Sequence, residues 1–267
     1  MKTLLIKNWY YYLAGLIVLF GLKWYYSMAG IEDLEWIIGP TAWWTEILSG
    51  NTFKKVPGLG YVNNANEFII VSSCSGINFL IVLFSTLLYS FIHRLKVNKE
   101  KSLWFAFCML FSYIMTIGVN GLRIIISMYL YNADIYGALI TPERVHRIEG
   151  VLIYFVSLFI IYSLIERKAG FIVSGFCEEK YSARSMKKLI ITCVPPLFWY
   201  FVFTLGIPLL NRAYKKDGVH FLEHSIVIIS ISFISVLVYC LISKLKHIGV
   251  SDRINKSIKM SRNRSSF

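Results

Sequence analysis

Charge is scarce in this chain of 267 residues: only 16% of it is Asp, Glu, Lys or Arg. Acidic residues are scarcer still, 15 against 28 basic ones, for a net charge of +13. Cysteine is sparse and badly arranged for staples or metal. Cys74, Cys108, Cys177, Cys193 and Cys240 are odd in number, widely spaced and contain no C-x-x-C pair, so neither a disulfide framework, a metal site nor a bound cofactor is expected. There is no internal repeat and no low-complexity stretch that would split the chain into two folded domains. The first apolar run has no small-residue cleavage site behind it. It is followed instead by Lys23-Trp-Tyr-Tyr26, the pattern of an interfacial anchor rather than of a removable leader.

What the chain has in abundance is apolar surface. Hydrophobic residues make up 56%, aromatic residues 16%, and mean hydropathy is +0.58, more than one water-soluble core can hide. The expectation is an all-α, polytopic membrane helical bundle of about six transmembrane helices. Apolar runs near the ~20 residues needed to cross a hydrocarbon core recur along the chain. They are read over 9–22, 71–92, 102–131, 148–165, 189–209 and 224–242. Pro195-Pro196 is expected to kink the fifth. The third is too long to cross straight, at roughly 45 Å if helical, and a bend is expected at Gly118 and Gly121, which flank Asn120.

Between the first two runs, residues 27–68 hold Glu32, Asp33, Glu35, Glu46 and Glu67 among Trp36, Trp43 and Trp44, then a Pro57-Gly-Leu-Gly60 turn. This reads as short amphipathic helices lying in the extracytoplasmic interface. The stretch 132–147 is polar, and 166–188 reads as a charged loop with alternating signs. Residues 1–243 form the integral membrane domain, and the basic segment 244–267 is expected to be an unstructured tail close to anionic lipid.

Lys and Arg sit in short segments between apolar runs, where they signal topology rather than nucleic acid. The N-terminus, 93–101, 166–188 and the tail from Lys244 together hold 19 of the 28. The positive-inside rule then puts both termini in the cytoplasm.

That topology brings three reactive side chains to one depth on the extracytoplasmic side. Cys74 lies one turn inside the second span, in the run Val71-Ser-Ser-Cys-Ser-Gly-Ile-Asn-Phe79, where small residues let another backbone come close. Arg123 falls near the outer end of the third span, and His146 stands just before the fourth. Each alone has an ordinary reading: a small packing residue, a snorkelling arginine, a solvated helix start. Together they suit nucleophilic acyl transfer, with the thiol as nucleophile and the imidazole as its base. The guanidinium, which cannot be a base, would hold a carbonyl or an oxyanion. His220 and His224 are competing histidines on the same side, whereas His93 and His247 lie on the other.

Ser72-Ser-Cys-Ser-Gly-Ile-Asn-Phe79, then Asn120-Gly-Leu-Arg-Ile124 after a long apolar run, then His146 with Gly150 four residues on, resembles the exosortase and archaeosortase family of membrane transpeptidase-like enzymes. The segment 33–41 with Pro40, and Gly60-Tyr61, look most like exosortase type K. The resemblance implies a cysteine peptidase or transpeptidase of the cell membrane. Its partners would be exported proteins carrying a C-terminal motif, a transmembrane helix and a basic end, which it would cut at the extracytoplasmic face through a thioester. It also implies Cys74, Arg123 and His146 as catalytic residues, with Asn120, Ser73, Ser75 and Gly76 on the substrate side. The alternative is a non-catalytic transporter or assembly scaffold in which Arg123 binds an anionic ligand and Cys74 only packs. A thiol oxidoreductase is disfavoured, because no second cysteine lies near Cys74 on that side.

Overall fold

The computed structural model describes residues 2–63, 68–133, 136–137, 141–173 and 184–264; Cys177 and Glu67 lie outside them. It is a helical membrane bundle. Helix α1 spans Lys2–Met28, α2 Glu35–Ser49, α3 Ile77–Phe91, α4 Asn98–Tyr131 and α5 Pro142–Val173. Then come α6 over Arg184–Phe201, the short α7 (Ile207–Leu210) and α8 (Ala213–Lys216), and α9 over Gly218–Arg264. Five segments among the described residues are long and apolar enough to cross a membrane: Ser72–Arg94, Asn98–Tyr131, Pro142–Lys168, Thr192–Leu210 and Gly218–Ile242. Helix α1, 27 residues long, packs beside them against α3.

Helix α3 is the axis of the bundle. It carries no charged residue, and all of its fifteen residues but Asn78 and Tyr89 are buried, the pattern of a helix enclosed by its neighbours. The most apolar part of its span is 89% buried, against 17% for that of α4. Helices α1, α4, α5 and α6 surround it. Helix α1 runs antiparallel to it, since Tyr12 accepts from Tyr89 while Lys23 Nζ donates to Asn78 Oδ1 at 2.9 Å. At the end of α3 remote from Cys74, Arg94 makes two contacts of 2.8 and 2.9 Å to Glu166 on α5 and lies over the Phe91 ring. One nitrogen, Nη1, thus lies between both carboxylate oxygens, a charge-assisted contact that ties the end of α3 to α5.

The segment between α1 and α3 departs from the expected run of short helices. Among its described residues α2 is followed by a three-stranded antiparallel meander of β1 (Lys54–Val56), β2 (Gly60–Asn63) and β3 (Phe68–Ile70), with Lys55 opposite Tyr61 and Val62 opposite Ile69. The β1–β2 turn needs its glycines: Gly60 has φ of 122°, and a Cβ there would sit 2.2 Å from the Ile70 carbonyl oxygen. Val56, Tyr61, Val62 and Ile69 are β formers that periodicity for a helix cannot use. The sheet is held to the start of α2 by charge. Lys55 Nζ bridges Glu32 and Glu35 at 3.1 Å each, Gly58 N–H donates to Glu32, and Tyr61 O–H donates to Glu35. The Gly58 N–H and then Lys55 hold the Glu32 carboxyl below its usual range, and burial followed by the Glu35 bond pushes the Tyr61 phenol up to about 12.

Several helices differ in extent from the sequence reading. Helix α4 is continuous through Gly118 and Gly121. Gly121 serves close approach, since a Cβ there would lie 2.8 Å from Trp44 of α2. The long α4 thereby carries its outer turns, with Arg123 and Ser127, past the level of Asn120. Helix α5 starts at Pro142, ahead of the apolar run read from 148, so His146 lies inside the helix; Pro is well suited to a first helical position, where its missing N–H would have no partner. The same helix continues to Val173, through the start of the expected charged loop, and 174–183 lie outside the described residues. Around Pro195-Pro196 the helix carries on to Phe201, and the irregularity comes later, as a π-helical turn over Val202–Gly206 in which Thr204 Oγ1 bonds the Tyr200 carbonyl. Finally, α9 runs on to Arg264, so the basic segment from Lys244 is helical that far.

Candidate active site

The site is assembled where three elements end or approach one another. The first is a 3₁₀ turn, Ser72–Cys74, followed by Gly76, whose φ of 74° lets the chain turn into α3. The second is one face of α4, bearing Thr116, Asn120, Arg123 and Ser127 at helical spacings of four, three and four. The third is one face of α5, with His146, Glu149, Gly150 and Tyr154.

These faces are joined by one continuous chain of polar contacts. Asn120, fully buried, donates from Nδ2 to the Cys74 carbonyl and accepts at Oδ1 from the Tyr154 hydroxyl at 2.7 Å. Arg123 Nη1 donates to the same hydroxyl at 3.1 Å, and Nη2 donates to His146 Nε2. Beyond the ring, His146 Nδ1 lies 3.1 Å from Ser127 Oγ, and the Ser127 hydroxyl donates to Glu149 Oε2 at 2.6 Å. Two glycines make room. A Cβ on Gly76 would lie 3.0 Å from Asn120 and Thr116, and one on Gly150 would lie 3.3 Å from Arg123 Nε. Tyr154 is itself stacked on Phe79 of α3, at 5.1 Å between ring centres, which fixes the hydroxyl that Asn120 and Arg123 share.

Two cavities meet at His146. The larger, about 430 Å³, is lined by Ser73, Gly76, Arg123, His146 and Tyr154 on one side and by Tyr200, Thr204, His224 and Ile228 from α6 to α9 on the other. The smaller, about 260 Å³, is lined by Phe68, Ser127, Tyr131, His146 and Glu149 among others. Arg123 presents to this region a buried Nε with no partner among the described residues.

The residues singled out in the sequence fall as follows. Cys74, Asn120, Arg123 and His146 are brought into one network, though Cys74 enters it through its carbonyl. Its side chain is buried, 6% exposed, and Ser73 and Gly76 rather than Cys74 line the larger cavity. The thiol lies within electrostatic reach of Arg123 and Tyr154. Ser75 is fully buried, its hydroxyl without a partner among the described residues, and it lines neither cavity. His220 stands on the rim between Arg147 and Asp217, at 3.4 and 3.9 Å, while His224 lines the larger cavity. Tyr154, Ser127 and Glu149 were not anticipated. Each lies three or four residues from a residue that was, Tyr154 after Gly150, Ser127 after Arg123 and Glu149 after His146, so reading along the helical face would have found them.

Residues 26–163 match the family model for transmembrane exosortases, a segment that contains every member of the polar chain. No curated protein matches the sequence, and no solved structure matches the fold.

Proposed function

The chain belongs to the transmembrane exosortase family, and from that premise we propose that it is a membrane cysteine transpeptidase or protease acting on C-terminal sorting signals of exported proteins. The observation that carries this reading is the single hydrogen-bonded chain linking the Cys74 backbone, Asn120, Tyr154, Arg123 and His146 beside a cavity. The chemistry is acyl transfer. His146 Nε2 takes the proton from Cys74 Sγ, and the sulfur attacks the carbonyl carbon of the scissile peptide bond. Arg123, turning its guanidinium from His146 towards that carbonyl, stabilises the oxyanion and frees Nε2 for the proton. The intermediate collapses as the amine leaves with the proton from His146, giving a thioester on Cys74. An acceptor nucleophile then attacks the thioester, loses its proton to His146 and releases the thiol.

Asn120 serves this scheme by holding the Cys74 backbone and, through Tyr154, the guanidinium in one register. Positive-inside bias supports cytoplasmic termini and an extracytoplasmic site in the cell membrane. The wall contributed by Tyr200, Thr204, His224 and Ile228 then faces the incoming signal peptide.

One observation favours the second reading, an anion-binding membrane protein: Arg123 lines the larger cavity whereas Cys74 does not. A Cys74→Ser substitution separates the two. The C-terminal membrane helix should stay attached to a co-expressed signal-bearing protein if the thiol is the nucleophile. Wild-type processing by that variant would overturn the enzyme reading.

A further inference from the structure

Two side chains behind His146 have no part in the reaction just described. Ser127 and Glu149 come from different helices, are 7% and 6% exposed, and are bonded to each other at 2.6 Å. Burying a hydroxyl and a carboxylate in a membrane bundle is costly, so the pair calls for a compensating role. The direction of the hydrogen bonds supplies one. Arg123 has N–H groups and no acceptor, so its Nη2 donates and His146 Nε2 must accept. The hydrogen of the neutral ring then sits on Nδ1, facing Ser127 Oγ at 3.1 Å. Ser127 receives it while spending its own hydrogen on Glu149 Oε2. Every donor thus points the same way, from Arg123 through His146 and Ser127 to Glu149. The 3.9 Å between Nδ1 and Glu149 Oε2 is too long for a direct bond, which makes the serine the bridge.

We propose that Ser127 and Glu149 are positioning residues for His146. They fix the tautomer that leaves Nε2, the nitrogen facing Arg123, without a hydrogen and so able to act as the base, and they place a carboxylate one hydroxyl away from the positive charge the ring gains on taking the thiol proton. The logic is that of a carboxylate orienting a histidine base, relayed here through a serine. The inference rests on His146 being the base for Cys74. It differs from a mere α4–α5 tie in that the hydroxyl and the carboxylate charge matter, and not only the packing.

The test uses the full-length chain in detergent micelles, with iodoacetamide as probe and the alkylation rate read at Cys74 by mass spectrometry. Ser127→Ala and Glu149→Ala should each slow labelling by about 10-fold to 100-fold, less than the 10²-fold to 10⁴-fold typical of losing a general base. Ser127→Thr, which keeps the hydroxyl, should recover most of the rate. Formate should partly restore Glu149→Ala, because Glu149 lines the smaller cavity, which is open to a small anion. The inference is overturned if His146→Ala slows labelling while Ser127→Ala and Glu149→Ala do not. It is also overturned if Ser127→Thr is as slow as Ser127→Ala and formate has no effect, the signature of a packing role alone. Wild-type labelling in His146→Ala would instead remove the base reading and this inference with it.

Discussion

Replacing Gly76 by alanine should damage the site from the backbone outward. Gly76 sits between the 3₁₀ turn that presents Cys74 and the first turn of α3, at φ 74°, where an L side chain is strained. Left-handed backbone costs a non-glycine residue about 1–2 kcal/mol. Its Cβ would also stand 3.0 Å from both Asn120 Cγ and Thr116 Cγ2 and 3.1 Å from Asn120 Nδ2, and overpacking of this kind costs about 1–3 kcal/mol more. Together the two effects reach about 2–5 kcal/mol, which should lower the unfolding midpoint of the detergent-solubilised chain by at least about 4 °C, followed by tryptophan fluorescence. Part of the crowding comes from the γ-methyl of Thr116, so adding Thr116→Ser to Gly76→Ala should recover some of the loss but never the backbone component. A Gly76→Ala protein that melts within about 1 °C of wild type would refute the argument. So would a Thr116→Ser addition that recovers everything, because the strain at positive φ would then count for nothing.

Arg123→Lys should leave the bundle folded yet cut processing by about tenfold or more, because one ammonium cannot reproduce the fork that reaches Tyr154 with one nitrogen and His146 with the other. Signal-peptide processing in membranes checks this, and wild-type turnover by the lysine variant would show the fork to be dispensable. The Glu32–Lys55 clamp predicts a pH effect on the sheet. Its carboxyl is depressed in the folded chain, so its contribution is present above the ordinary carboxylate pKa and is lost as pH falls through the lower folded value. Hydrogen exchange at the Gly58 amide, which bonds Glu32, should therefore quicken relative to other turn amides in acid, and Glu32→Gln should abolish that dependence. An unchanged profile in Glu32→Gln would mean that the turn is held by its backbone alone.

The helices were legible because their signal is length and hydropathy, which membrane burial makes nearly independent of packing detail. That Cys74, Arg123 and His146 share one depth was legible for a related reason, that polar residues near a lipid core are few, whereas depth does not separate His146 from His220 and His224, and Asn120 entered through the family resemblance. The sheet at 54–70 was not legible. Its strands are three or four residues long, too short for alternation to register, and the turn depends on positive φ at Gly58 and Gly60, a property that two glycines in a Pro-Gly-Leu-Gly run hint at without fixing strand pairing. The helix stays unbroken through Gly118 and Gly121, and the contact with Trp44 that Gly121 permits is a tertiary fact that the sequence of α4 does not carry. Helical spacing from Arg123 and His146 puts Ser127 and Glu149 on the right faces, but the hydrogen-bond direction they share across two helices does not exist in one dimension.

The division between matched and unmatched sequence carries a physical consequence. Every donor and acceptor in the polar chain, from the Cys74 carbonyl to Glu149, lies within 26–163, and so do the two glycines that admit Asn120 and Arg123. These groups constrain one another: each bond is satisfied only if its neighbour keeps both identity and direction, so substitution at one orphans a buried partner at a cost of about 1–3 kcal/mol. The opposite wall of the larger cavity obeys no such constraint. Tyr200, Thr204, His224 and Ile228 come from beyond residue 163, and none of the four bonds to the polar chain. Under the proposed function, side chains there can change without disturbing the acyl-transfer apparatus. Discrimination among signal peptides is therefore expected to reside in α6 to α9, and the chemistry in α3 to α5.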